Sequence, residues 1–186
     1  MRSSALVRVG IMLLLSSSAS AQGKLPRPTA GTGLHHVVNS FEFEIDAPLA
    51  RAAPLFGPEG ERKWAGKTWD PKFIYPTQPR DVEGAVFTVK QAGRNPLWIH
   101  TVFDLADGRM QYVATTPGSM VTIVDVRLFP EGLKTRARVN YTRTALSPDT
   151  AAHIVLLGSA DARSGPEWQA AIETALRTEA SNGTEP

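Results

Sequence analysis

The segment KTRARVNYTRTALSPDTAAHIVLL, Lys134 to Leu157, changes structural period partway along. Lys134 to Thr144 alternates, with Lys134, Arg136 and Arg138 on one polar face, the period-two pattern of a half-buried strand. Ser147 then stands as an N-cap, Pro148 at the first helical position and Asp149 in the first turn, where a carboxylate complements the helix dipole. Ala151, Ile154, Val155 and Leu157 cluster on one helical surface. A long strand thus runs into a C-terminal helix.

Further along, Trp168, Ile172 and Leu176 recur every four residues as one apolar stripe. Ser164-Gly165-Pro166 falls between the two helical halves. Proline lacks the N–H that a helix interior uses and clashes with the preceding turn, so a kink or a break into two helices is expected there.

Working back toward the N-terminus, four strands are expected: Ala85 to Gln91, Leu97 to Leu105, Arg109 to Thr116 and Met120 to Phe129. Gly93-Arg94-Asn95-Pro96, Asp107-Gly108 and Pro117-Gly118 separate them as turns, and Pro130-Glu131-Gly132 begins the next. A weaker strand is predicted at Lys72 to Tyr75. Val37 to Asp46 alternates strictly, Phe41, Phe43 and Ile45 opposing Glu42, Glu44 and Asp46. Ala47-Pro48 opens a short helix, Leu49 to Phe56; Gly57-Pro58 ends it, and Glu59 to Ala65 can form a second, closed by Gly66.

The acids of the first strand and the bases of the last are complementary. Opposite charges across an antiparallel pair stabilise it modestly, and like charges disfavour it. The two strands are therefore expected side by side.

The order is strand, two short helices, antiparallel strands, long C-terminal helix. Several stretches strengthen what that order suggests: GPEGERKWAGKTWDPKFIYP (Gly57 to Pro76), Gly84-Ala85-Val86-Phe87, Trp98, Tyr112 followed by Pro117-Gly118, and Asn140-Tyr141-Thr142 leading to Ala145-Leu146-Ser147. Together they resemble the START-like (SRPBCC, Bet v allergen-like) superfamily, in its polyketide cyclase/dehydrase-like branch. The resemblance covers about Ser40 to Leu176. It implies an α+β helix-grip fold, a curved antiparallel sheet of six to seven strands wrapped on a C-terminal helix. It also implies a pocket for a small, mostly apolar molecule. Fold does not fix function, so the label of cyclase is not carried over.

The first residues read as an export signal. Arg2 and Arg8 give a positive front, Val9 to Leu15 a short apolar run, and Ala19-Ser20-Ala21 an A-x-A cleavage site. Residues 1–21 are thus expected to be removed, for a periplasmic or secreted protein. A flexible linker follows over 22–33, the domain over 34–178 and a disordered tail over 179–186. Removing the signal leaves 18 basic and 18 acidic residues from the chain's 20 and 18. That balance argues against a nucleic-acid partner. No later segment is apolar enough to span a membrane.

Chemistry is sparse. His35 and His36 are adjacent, so on a strand they point apart, and no cysteine or acidic spacing completes a metal site. No cofactor fingerprint or nucleophile elbow is present. His100 sits inside a strand, on the face expected to hold Trp98, Val102 and Asp104. It reads either as a polar cavity group or as a sheet histidine bonded to a neighbour or water. His153 and Asp149 read as a helix-surface pair. With no catalytic constellation, the ligand-facing candidates are Trp64, Trp69, Phe87, Trp98, His100, Tyr112 and Tyr141. The leading expectation is a non-catalytic exported protein binding a hydrophobic small molecule or lipid. The alternatives are a polyketide cyclase/dehydrase-like enzyme, with His100, Tyr112 or Tyr141 moving protons, and an envelope interaction module with an exposed apolar patch.

Overall fold

A computed structural model describes residues 35–182. The expected signal peptide, the linker and residues 183–186 lie outside the described residues. The elements run β1 (His36–Ile45), α1 (Leu49–Ala52), two 3-10 turns (Ala53–Phe56 and Gly60–Lys63), β2 (Lys72–Tyr75), β3 (Val86–Thr88), β4 (Leu97–Asp104), β5 (Arg109–Thr116), β6 (Met120–Glu131), β7 (Lys134–Ala145), α2 (Pro148–Asp161) and α3 (Gly165–Asn182). The strands form one antiparallel sheet in the order β1-β7-β6-β5-β4-β3-β2. The first and last strands in sequence are therefore neighbours, as their charges predict. Glu42 stands opposite Arg138 and Glu44 opposite Arg136. Ion pairs join Glu42 to Arg136 and Arg138, and Glu44 to Lys134 at 3.4 Å.

The opposite faces of these strands build the interior. Phe41, Phe43 and Ile45 of β1 are buried, as are Ala137, Val139, Tyr141, Arg143 and Ala145 of β7. Trp168, Ile172, Ala175 and Leu176 of α3 meet them. Trp168 lies edge-on to Phe41 with centroids 5.3 Å apart, and 4.9 Å from Trp64. A separate small core, Met120, Ala145, Ala151, Ile154 and Leu157, lies under α2. The alternation of β7 places Arg143 between the Tyr141 of the large core and the Ala145 of the small one. There it pairs with Asp161 of α2 and lies over the Tyr141 ring at 4.4 Å.

The C-terminal helix is broken where the Gly-Pro pair predicts. Ser164 Oγ bonds back to Ala160 and the amide of Trp168 reaches the Ser164 carbonyl, so the interruption is capped from both sides. Four expectations need correction. The helix after β1 is one α turn running into a 3-10 turn, and the second is 3-10 alone, because Pro54 and Gly57-Pro58 leave too short a run for α geometry. The strand at Ala85 to Gln91 shrinks to Val86–Thr88. Val155 is exposed, with Leu156, on the outer side of α2. Residues 179–182 are helical rather than part of a tail: α3 runs on to Asn182, with hydroxyls of Thr178 and Ser181 bonded to carbonyls four residues back and Glu179 paired to Lys63.

Candidate functional site

The candidate residues enter the interior from the short 3-10 segment and from the inner faces of β3, β4, β5 and β7. Phe87 of β3 stands opposite Trp98 of β4, and His100 of β4 opposite Tyr112 of β5. Their rings form one continuous series. Trp69 meets Phe87 and Trp98 edge-on, Phe87 stacks on Trp98 at 6.1 Å, and both lie edge-on to Tyr112. His100 stacks on Tyr112 at 4.2 Å and 8°. Trp64 belongs to a second group with Phe56 and Trp168, and Tyr141 packs with Phe41. All seven candidates are buried.

The surroundings of His100 differ from the simple alternation. A register shift between His100 and Val102 sets Val102 opposite Gln111 and Phe103 opposite Met110. Met110 is buried and Gln111 is half-buried, bonded to Thr101 and Asp125. The bulge thus carries Phe103, not Val102, to the side of His100, with ring centroids 4.7 Å apart. Neither ring nitrogen of His100 has a partner, and burial lowers its pKa to about 3. At neutral pH the ring is uncharged.

Trp64 and Trp69 satisfy their indole N–H groups, on the carbonyls of Leu55 at 2.7 Å and Pro58 at 2.9 Å. Trp98 does not: its Nε1 is buried without a partner. The Tyr112 hydroxyl donates to the Phe56 carbonyl. Burial, then the charges of Glu61 and Asp81, push its pKa well up.

Glu61 was missed by the sequence reading. It sits in GERK beside two bases, where a carboxylate reads as solvated, and no signal in the sequence marks it as buried. Yet it is 2% exposed, and its Oε2 has no partner. Burial raises its pKa well above the usual carboxylate range; Tyr112 opposes this and Asp81 adds to it. Asp81 holds the segment that carries Glu61: its carboxylate accepts from the amides of Glu59 at 2.7 Å and Gly60 at 3.1 Å.

Of the clefts that open among the described residues, two bear on the candidate residues. One, of ≈ 500 Å³, is lined by Arg62, Lys63, Trp64, Gly66, Lys67, Trp69 and Asp70. Its indole walls are the outer sides of the two tryptophans that face the interior groups. The other, of ≈ 210 Å³, lies where α2 begins, among Ala92, Arg94, Thr116, Met120, Asp149, Thr150 and His153. His153 and Asp149 thus share a cleft with Arg94. Burial first, then Arg94 and Arg143, lower the pKa of His153. Neither cleft is lined by Phe87, Trp98, His100, Tyr112 or Tyr141. These five rings meet neighbouring aromatic rings instead.

A seven-stranded antiparallel sheet gripping a C-terminal helix, with short helices after the first strand, is the helix-grip fold that the resemblance implied. Solved structures agree. An uncharacterised protein from Rhizobium leguminosarum superposes with a TM-score of 0.55 at 14% identity, over 78% of this chain and 97% of its own. Ara h 8.0201 gives 0.53 at 16%, over 78% and 99%. Norcoclaurine synthase from Thalictrum flavum, solved with dopamine and hydroxybenzaldehyde, gives 0.56 at 11%, over 93% and 100%. At these identities the likeness is one of fold. No family model matches the sequence, and no curated protein does.

Proposed function

We propose that this chain is an exported, non-catalytic binding protein for a hydrophobic small molecule or lipid, taken up between the sheet and the 3-10 segment. One observation carries the reading: four polar atoms, Trp98 Nε1, both nitrogens of His100 and Glu61 Oε2, are buried unpartnered on groups that border one ring, Tyr112. Leaving such atoms unpaired is costly, on the order of 1–3 kcal/mol each, so a polar partner at that place is the economical explanation. Aromatic walls around a few polar groups are the composition of a small-molecule site. The cleft lined by Trp64 and Trp69 is the approach this reading favours, since Trp69 also meets Phe87 and Trp98 of the interior series.

The test is extraction of the protein purified under non-denaturing conditions from the exported fraction, with native mass spectrometry before and after. A small organic molecule that accompanies the folded protein and leaves on denaturation supports the reading. A bare mass, together with no change of tryptophan emission across a panel of apolar compounds, overturns it.

A second reading, acid–base catalysis, is favoured by one contact: a buried carboxyl against the Tyr112 phenol. It resembles the enzyme alternative, with Glu61 in place of Tyr141 as partner of Tyr112. Turnover abolished by both Glu61→Gln and Tyr112→Phe, with guest binding kept, is the result that selects it.

A further inference from the structure

The unpartnered groups are not interchangeable. An indole N–H can only donate. A neutral imidazole has one donor and one acceptor. Trp98 and His100 lie two residues apart on β4, on the same inner face, and each presents its ring to Tyr112, edge-on from Trp98 at 6.1 Å and stacked from His100 at 4.2 Å. Both are almost fully buried, at 3% and 0% exposure. Both groups therefore border Tyr112, and among the described residues nothing accepts from either.

Among the described residues the charged groups of the interior also have opposite or hydrogen-bonding partners. Arg143 pairs with Asp161 through its two terminal nitrogens, its Nε remaining unpartnered, and Asp81 accepts from the amides of Glu59 and Gly60. A charged guest would lose its hydration with no opposite charge to replace it. Glu61, faced by Tyr112, Asp81 and Tyr141, is held in its neutral form by burial, and so is His100.

We infer that the guest is an uncharged molecule whose accepting oxygen, of the carbonyl class, is held between Trp98 Nε1–H and the ring N–H of His100. This rests on the binding reading above and narrows it. The aromatic rings of Trp69, Phe87 and Tyr112 supply the apolar contact. The carbonyl supplies the acceptor that the β4 face lacks.

The experiment compares four probes of one shape on the chain lacking residues 1–21: 2-acetylnaphthalene, 2-ethylnaphthalene, 2-naphthoate and 2-naphthylmethylamine. Affinity is read by calorimetry, and the Trp98 indole N–H by proton–nitrogen correlation spectra. The ketone is expected to bind about tenfold tighter than the hydrocarbon, the worth of one well-made hydrogen bond, and both charged probes more weakly still. On ketone binding the Trp98 indole proton should move downfield in the wild type, so the outcome does not depend on a variant folding. Trp98→Phe should reduce the ketone's advantage over the hydrocarbon, leaving the part that His100 supplies. Equal binding of ketone and hydrocarbon by the wild type, with an unmoved indole proton, overturns the inference and leaves the binding reading standing; that is the behaviour of an apolar site whose polar atoms are met by water. Preference for the acid or the amine overturns it likewise. If no probe binds and the purified chain carries no guest, the binding reading falls first and the inference with it.

Discussion

Two buried titratable residues push the molecule in opposite directions with pH. His100 has a folded pKa depressed to about 3 from 6.5, so the unfolded chain binds its proton more readily. Its contribution is complete above about pH 6.5 and is lost as pH falls toward 3, on the order of a few kcal/mol across that window. Glu61 has a folded pKa raised above 4.5, so the folded state holds the proton more tightly. Its contribution is complete below about pH 4.5 and is lost as pH rises toward the folded value. Two outcomes follow for thermal unfolding across pH. Glu61→Gln should raise the melting temperature at pH 7–8, and the gain should vanish near pH 4. His100→Phe should flatten the acid side, protecting the fold between pH 6 and 4. A Glu61→Gln variant no more stable than wild type at pH 8 counts against a buried neutral acid. Neither residue's surroundings were readable beforehand. Trp98 and His100 were legible as candidates from their shared strand face, and Tyr112 from its hydroxyl. Glu61 was not, since its burial is imposed by contacts with β5 and the Asp81 loop, distant in the chain. Nor was the bulge after His100, which no Gly or Pro announces.

Among the elements, α2 is the one whose attachment depends on single residues. Arg143 of β7 and Asp161 of α2 are 4% and 6% exposed and pair with each other. Asp161→Ala would leave the guanidinium buried and alone, and is expected to cost about 3–5 kcal/mol in denaturant unfolding. Replacing both by Met and Leu should recover much of that loss, because two apolar groups need no partner. Gly158 is the second attachment. A Cβ there would run into the side-chain amide of Asn39 on β1, with Val37 close behind. Gly158→Ala should therefore destabilise the protein by about 1–3 kcal/mol despite alanine's better helix propensity; a stabilised variant would show that α2 rides further from β1. The division into α2 and α3 could be read from Gly165-Pro166 because proline acts locally. Which face of α2 is buried could not: Ala151 through Leu157 is apolar nearly all round, so periodicity grouped Val155 with the inner residues, and packing on β1 and β7 left it outside.

At the scale of the whole molecule, sheet order was legible from charge. Glu42 and Glu44 against Arg136 and Arg138 brought the ends of the sheet's sequence together, and hairpin turns fixed the rest. A hollow between sheet and helix was an expectation of the resemblance; the rings around Tyr112 contact one another, and neither of the two clefts described is lined by His100 or Tyr112. Gly60 limits how the 3-10 segment can be rebuilt, since a Cβ there would strike the Pro54 carbonyl. Among the described residues no helix is long and apolar enough to cross a membrane. Export predicts that the chain recovered outside the cytoplasm begins at Gln22 by intact mass and N-terminal sequencing; a mature chain still carrying Met1 contradicts it.

The most direct measurement is a crystal structure of the protein isolated from its exported fraction without denaturation, inspected between the inner face of β4 and the 3-10 turn that carries Glu61. The account predicts density for an organic molecule with an oxygen within hydrogen-bonding distance of Trp98 Nε1. Rings closed upon one another, with nothing but water at Trp98 and His100 in crystals soaked with the naphthyl ketone, would contradict it.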